Sequence, residues 1–168
     1  MRALTANIAM GDEEFTALCE SGDISEVEKA VINGANANAI NEDGYTPLML
    51  AELNEDVELL ELLLKYGANV NAKGICGWTV FMYAALYGES EIAELLLLYG
   101  ADVNVKDVFG WTVLMYVARD GDIDIVRMLL KYGADVNIKD NFGWTAFKLA
   151  EENNHIEVAQ LLRSYGAR

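Results

Sequence analysis

Four glycine–aromatic–threonine triplets, Gly44-Tyr45-Thr46, Gly77-Trp78-Thr79, Gly110-Trp111-Thr112 and Gly143-Trp144-Thr145, stand 33 residues apart. Gly-Ala pairs keep the same step at Gly34-Ala35, Gly67-Ala68, Gly100-Ala101, Gly133-Ala134 and Gly166-Ala167. A fixed period of this length specifies small supersecondary units stacked in series, because one unit cannot bury its own apolar face.

The segment Asp107 to Lys139 shows what one unit contains. Thr112 suits the N-cap of a first short helix over Val113 to Arg119, since its hydroxyl can accept an otherwise unpaired backbone N–H. Gly121 ends that helix and Asp122 caps a second, whose run Ile123 to Leu130 is apolar over most of its circumference and so has to lie between neighbours. Gly133 supplies the left-handed residue that stops it. Asp135 to Asn141 has no helical spacing and ends on turn formers, which predicts an extended, hairpin-like loop leading to Gly143.

These residues resemble the ankyrin repeat. The resemblance rests on Asn41 to Pro47 (N-E-D-G-Y-T-P), Asp107 to Thr112, Asp140 to Thr145 and the L-L-K-Y-G-A-D/N-V-N tails of the second and fourth units, and it covers about residues 13–168. It implies an all-α solenoid of five stacked helix-turn-helix repeats, at about 13–40, 41–73, 74–106, 107–139 and 140–168, after an N-terminal extension or cap over 1–12. The chain departs from the family at the Thr-Pro-Leu-His signature, which here reads Thr46-Pro47-Leu48-Met49, Thr79-Val80-Phe81-Met82, Thr112-Val113-Leu114-Met115 and Thr145-Ala146-Phe147-Lys148. Each missing histidine forfeits a loop hydrogen bond of about 0.5–1.5 kcal/mol, and methionine packing recovers part of it. Gly74 replaces the loop aspartate of the third unit and marks that loop as the more mobile one.

In the first unit, Phe15, Leu18 and Cys19 are expected to face inward on one helix, and Ile24, Val27, Val31 and Ile32 on the next. Val57, Leu59, Leu60, Leu62, Leu63 and Leu64, with Ile92, Ala93 and Leu95 to Leu98, form the central core helices. Leu98 stands where other units have Lys65 and Lys131, which puts one apolar residue near the outer surface. Polar residues at both ends, among them Glu13, Glu14, Glu20, Glu26 and Glu28 at one and Glu151, Glu152, Gln160 and Arg163 at the other, are the skin that terminal repeats need, so the array is expected to be complete.

The 168 residues carry a formal net charge of −15. That balance argues against a nucleic-acid backbone, which must be met by Lys and Arg, and against an anionic membrane surface. Cys19 and Cys76 fall at different phases, one in a helix and one at a loop tip, and read as free thiols of a reducing, cytoplasmic compartment. No window reaches the ~18 apolar residues of a membrane span, and the N-terminal stretch lacks a signal-peptide cleavage site.

Chemistry finds no foothold. His155 is the single histidine and has no companion at metal-ligand or triad spacing. Phosphate-loop and dinucleotide fingerprints are absent from the sequence, and Asp122-Ile123-Asp124 lacks the remainder of a calcium loop. The expectation is a non-enzyme with no cofactor and no metal.

In the family the chain resembles, loop tips and the exposed sides of first helices line a concave groove that grips other proteins. By phase, that groove would contain Tyr45, Ile75, Trp78, Leu86, Tyr87, Val108, Phe109, Trp111, Arg119, Phe142 and Trp144, centred on Trp78 and Trp111. Exposed aromatic and apolar clusters mark partner sites. The same phase is also what internal packing of each loop would produce for the Trp series. The expected function is therefore a protein–protein interaction module, monomeric, with a partner carrying a basic rim. Two competing readings are a homodimer sealed through the same strip and an acidic decoy that mimics nucleic acid.

Overall fold

The computed structural model describes residues 10–168, and among these all regular structure is helical. Ten α-helices follow one another: α1 (Asp12–Ser21), α2 (Ile24–Ile32), α3 (Pro47–Leu53), α4 (Val57–Lys65), α5 (Val80–Leu86), α6 (Ser90–Leu98), α7 (Val113–Asp120), α8 (Ile123–Lys131), α9 (Ala146–Glu152) and α10 (Ile156–Ser164). Asp12 already belongs to α1; of the N-terminal extension or cap expected over 1–12, residues 1–9 lie outside the described part.

The chain forms two compact units, the first ending at Ile75 and the second running Cys76–Arg168. In the first, α1 packs on α2 and α3, and α4 packs on α2 and α3. In the second, α5 with α6, α7 with α8 and α9 with α10 form antiparallel pairs, and α7 lies between α5 and α9.

Such short helices are marginal alone, and threonine or aspartate side chains start seven of these ten. Thr46, Thr79, Thr112 and Thr145 accept from the backbone N–H of Met49, Met82, Met115 and Lys148 through Oγ1 at 3.3–3.4 Å. Asp23, Asp56 and Asp122 do the same for second helices, accepting from Glu26, Leu59 and Ile125 at 3.0–3.1 Å. Asp122 thus has the capping role its position suggested. The methionines that replace the family's histidine are buried, and Met49 Sδ accepts from the Thr46 N–H at 3.5 Å, so a thioether recovers part of the lost loop bond.

Apolar side chains meet between the helix layers. Phe15, Cys19, Val27, Leu48, Met49, Leu59, Leu60 and Leu63 fill the first unit, and Phe81, Met82, Leu96, Leu114, Met115, Leu129 and Leu162 fill the second. Two expectations are corrected. Ile32 is 63% exposed because it ends α2 at the phase of Lys65 and Lys131, on the outer face. Val57, the first residue of α4, is also exposed. Leu98 is 73% exposed, as its phase predicted.

Gly121 has φ +82, and a Cβ there would collide with the His155 ring, so the packing of that ring requires a glycine at 121. This is a packing role for the single histidine.

Candidate protein-binding surface

The loops before the first helices place the candidate residues, and one acceptor organises each. Asp107 Oδ1 accepts from the N–H groups of Phe109 (2.9 Å) and Trp111 (2.8 Å), while the Asp107 N–H donates to the Trp111 carbonyl at 3.0 Å. Asp140 repeats the arrangement with Phe142 and Trp144, both at 2.8 Å. In the first unit Asn41 holds Tyr45 N at 2.8 Å with one amide oxygen. These are the hairpin-like turns expected from the sequence, built around a side chain that mimics a backbone acceptor.

At position 74 the acceptor is missing, and Ile75–Gly77 closes as a single 3-10 turn with Cys76 at φ 57. The structure supplies a packing reason for the glycine. A Cβ on Gly74 would stand 2.6 Å from the Gly44 carbonyl oxygen and 3.0 Å from Met49 Sδ.

In the second unit the loop tips bind each other. Val108 N donates to the Cys76 carbonyl at 3.1 Å, Asn141 N to the Phe109 carbonyl at 3.2 Å, and Asn141 Nδ2 to the Val108 carbonyl at 3.1 Å. Val108, Phe109 and Phe142 are consequently held outward on a braced ladder, with Phe142 79% exposed.

Behind the tips runs a continuous row of rings. Tyr87 lies 6.3 Å from Tyr83, Tyr83 5.1 Å from Trp78, Trp78 5.6 Å from Tyr116, and Tyr116 4.8 Å from Trp111. Their tilted and edge-on geometries are those that ring quadrupoles favour. The Arg119 guanidinium closes the row, 5.5 Å from both the Trp111 and Tyr116 rings, and is held there by Asp120 at 2.7 Å. That bond holds the Arg119 pKa above its usual value.

Two polar atoms of the row are committed inward. Tyr116 donates its hydroxyl to Asp107 Oδ2 at 2.6 Å, and Trp111 donates Nε1–H to Asp140 Oδ2 at 2.9 Å. Burial pushes the Tyr116 phenol pKa up, and the Asp107 carboxylate adds to the rise; Arg119 and a hydrogen bond from Trp78 pull less strongly the other way. Tyr116 is therefore a neutral donor at neutral pH, and Asp107, accepting from three donors, joins the loop to helix α7.

Trp78 and Trp111, on which the sequence centred the groove, are part-buried walls whose indoles brace the scaffold. The exposed members are Tyr87, Val108, Phe109, Phe142 and, at 38%, Trp144. Leu86 is half-buried at the end of α5. Tyr45, half-buried, and Ile75, exposed, belong to the first unit, where Ile75 packs over Gly44.

Sequence reasoning did not single out Tyr83, Tyr116, Asp107 or Asp140. A signal was available: Tyr83 and Tyr116 replace, at the same phase, the Leu50 and Leu149 of other units, and they do so in the two units whose Trp residues they touch.

Phe109, Trp111, Tyr116, Arg119, Phe142, Trp144 and Leu149, with Asp140, line an open cavity of about 380 Å³. Its walls are aromatic and aliphatic, and its one carboxylate is engaged by three donors. Among the described residues no three His, Cys, Asp or Glu side chains converge as a metal set, and no helix is long and apolar enough to cross a membrane.

A 33-residue phase, paired short helices with threonine caps and side-chain-braced hairpin loops define a helical repeat protein. The sequence profile described as ankyrin repeats (three copies) matches residues 15–107 and again residues 97–168, and the chain belongs to the ankyrin repeat family. Ankyrin repeats are generally protein–protein interaction modules, and the family is typically non-enzymatic. A search of curated proteins found no match to the sequence.

Proposed function

We propose that this chain holds a partner protein on the loop-tip face of its second unit, with Val108, Phe109, Phe142, Trp144 and Tyr87 as contacts and Trp78, Trp111 and Arg119 as supporting walls. The carrying observation is that Phe109 and Phe142 are more than half exposed on a ladder of backbone hydrogen bonds, beside a ring-lined cavity. Apolar side chains carried on a braced backbone cost little loop ordering on binding, which is what an energetic anchor needs. Leu86 flanks the contact, and Tyr45 and Ile75 hold the same phase in the first unit. A net charge of −15 favours a partner with a basic rim. The two free thiols support a cytoplasmic protein, and the chain is read as a monomer that keeps this face for a different chain.

The test is capture of the partner on the wild-type chain, followed by titration of that partner against the double variant Phe109→Ala, Phe142→Ala. The variant is expected to weaken binding by more than about 2 kcal/mol with an unchanged helical signal. Unchanged affinity removes this face from consideration, and a dimer by sedimentation at micromolar concentration would favour self-association instead.

A further inference from the structure

The cavity beside Trp111 lies where the repeat omits one of its own rings. Tyr83 and Tyr116 occupy one phase of the unit, and the residue at that phase in the last unit is Leu149. Tyr116 packs between two tryptophans, 5.6 Å from Trp78 of the preceding repeat and 4.8 Å from Trp111 of its own. Its hydroxyl reaches Asp107, the carboxylate of its own loop, at 2.6 Å. One unit further on, the equivalent ring would lie between Trp111 and Trp144, with its hydroxyl toward Asp140. Leu149 is too short to fill that place, and the cavity of about 380 Å³ is lined by Trp111, Trp144, Asp140 and Leu149.

We propose that a partner's aromatic side chain, by preference a tyrosine flanked by basic residues, completes the ring row in this cavity. The inference rests on the partner-binding reading above and names the chemistry of the anchor. Other occupants fit less well. A cationic side chain would meet Arg119, which already takes the cation position over Trp111 and Tyr116. An anionic one would approach a chain of net charge −15, and the guanidinium it would seek is neutralised by Asp120. A neutral ring gains two tryptophan neighbours and the fixed guanidinium plane. The phenol has a specific advantage, because Asp140 Oδ2 accepts one bond, from Trp111 Nε1, and a carboxylate oxygen can accept a second. The basic flanks follow from the net charge of −15 and from Glu152 on the concavity that adjoins Phe142 and Trp144, where Lys148 also stands and Glu151 is paired with Arg163.

The experiment uses four capped peptides, Lys-Arg-X-Lys-Arg with X as Tyr, Phe, Leu or Ala, titrated into the full isotope-labelled chain and followed by the indole N–H and loop-tip amide resonances. The tyrosine peptide is expected to bind at least tenfold more tightly than the alanine peptide, with phenylalanine between them, and to shift the Trp111 and Trp144 indole signals. In the Leu149→Tyr variant the chain's own ring occupies the cavity, so the tyrosine preference should vanish while the fold stays at least as heat-resistant. If that variant misfolds, Trp144→Ala provides the same loss of preference. Equal affinity of the tyrosine and alanine peptides, with Phe109 and Phe142 still perturbed, overturns the anchor and leaves the binding face standing. A tyrosine preference that survives Leu149→Tyr also overturns the anchor. Failure of every peptide to perturb Phe109 and Phe142 overturns both readings.

Discussion

Cys19 and Cys76 carry the same thiol in opposite surroundings. Cys19 is fully buried in α1, and burial pushes its pKa from 9.0 up to about 12, with the Glu20 carboxylate adding a smaller push. Cys76 sits exposed at a loop tip with a left-handed backbone. A thiol-specific reagent at pH 8 is expected to modify Cys76 rapidly and Cys19 only on unfolding, since the thiolate is the reacting species. The stability consequence has a definite sign. Between about pH 9 and 12 the Cys19 thiol ionises in the unfolded chain and stays protonated in the folded one, so the unfolded state gains and stability falls as pH rises, by up to about 1.4 kcal/mol per pH unit. Urea titrations across that range should show a steeper fall for the wild type than for Cys19→Ala; parallel slopes would show that Cys19 ionises alike in both states.

At the scale of elements, the threonine caps and aspartate-braced turns explain why two-turn helices persist here, and why one loop differs. At position 74 an aspartate would not fit, because any Cβ there meets the Gly44 carbonyl at 2.6 Å and Met49 at 3.0 Å. Gly74→Asp is expected to destabilise by about 1–3 kcal/mol in equilibrium denaturation; a gain in stability would mean that the loop readily re-forms around an acceptor as the loops at Asp107 and Asp140 do.

At the scale of the whole molecule, periodicity made the fold legible before any coordinates. Helix starts at Thr46, Thr79, Thr112 and Thr145 could be read off because a capping hydroxyl acts on its own chain neighbours. Ile32 was misplaced because a degenerate first unit hides its phase; alignment with Lys65 and Lys131 would have put it outside. The surface was legible only in part. Phase placed Phe109, Phe142 and Trp144 on the exposed side of the loops, but Trp78 packs on Tyr116 of the following repeat, and Trp111 on Tyr116 of its own repeat and Asp140 of the following one. The cavity follows from an absent ring at Leu149, which the sequence records as a plain substitution and only inter-ring distances turn into space.

The central claim is that rings, rather than the net charge of −15, carry partner binding. The most direct measurement is the dissociation constant of the captured partner between about 0.05 and 0.5 M salt. Charge on the rim is screened over that range while burial of rings is not. The expected loss of affinity is less than about tenfold, against the roughly thousandfold or greater collapse that a nucleic-acid-mimicking acidic surface would show. A collapse of that size would contradict the account.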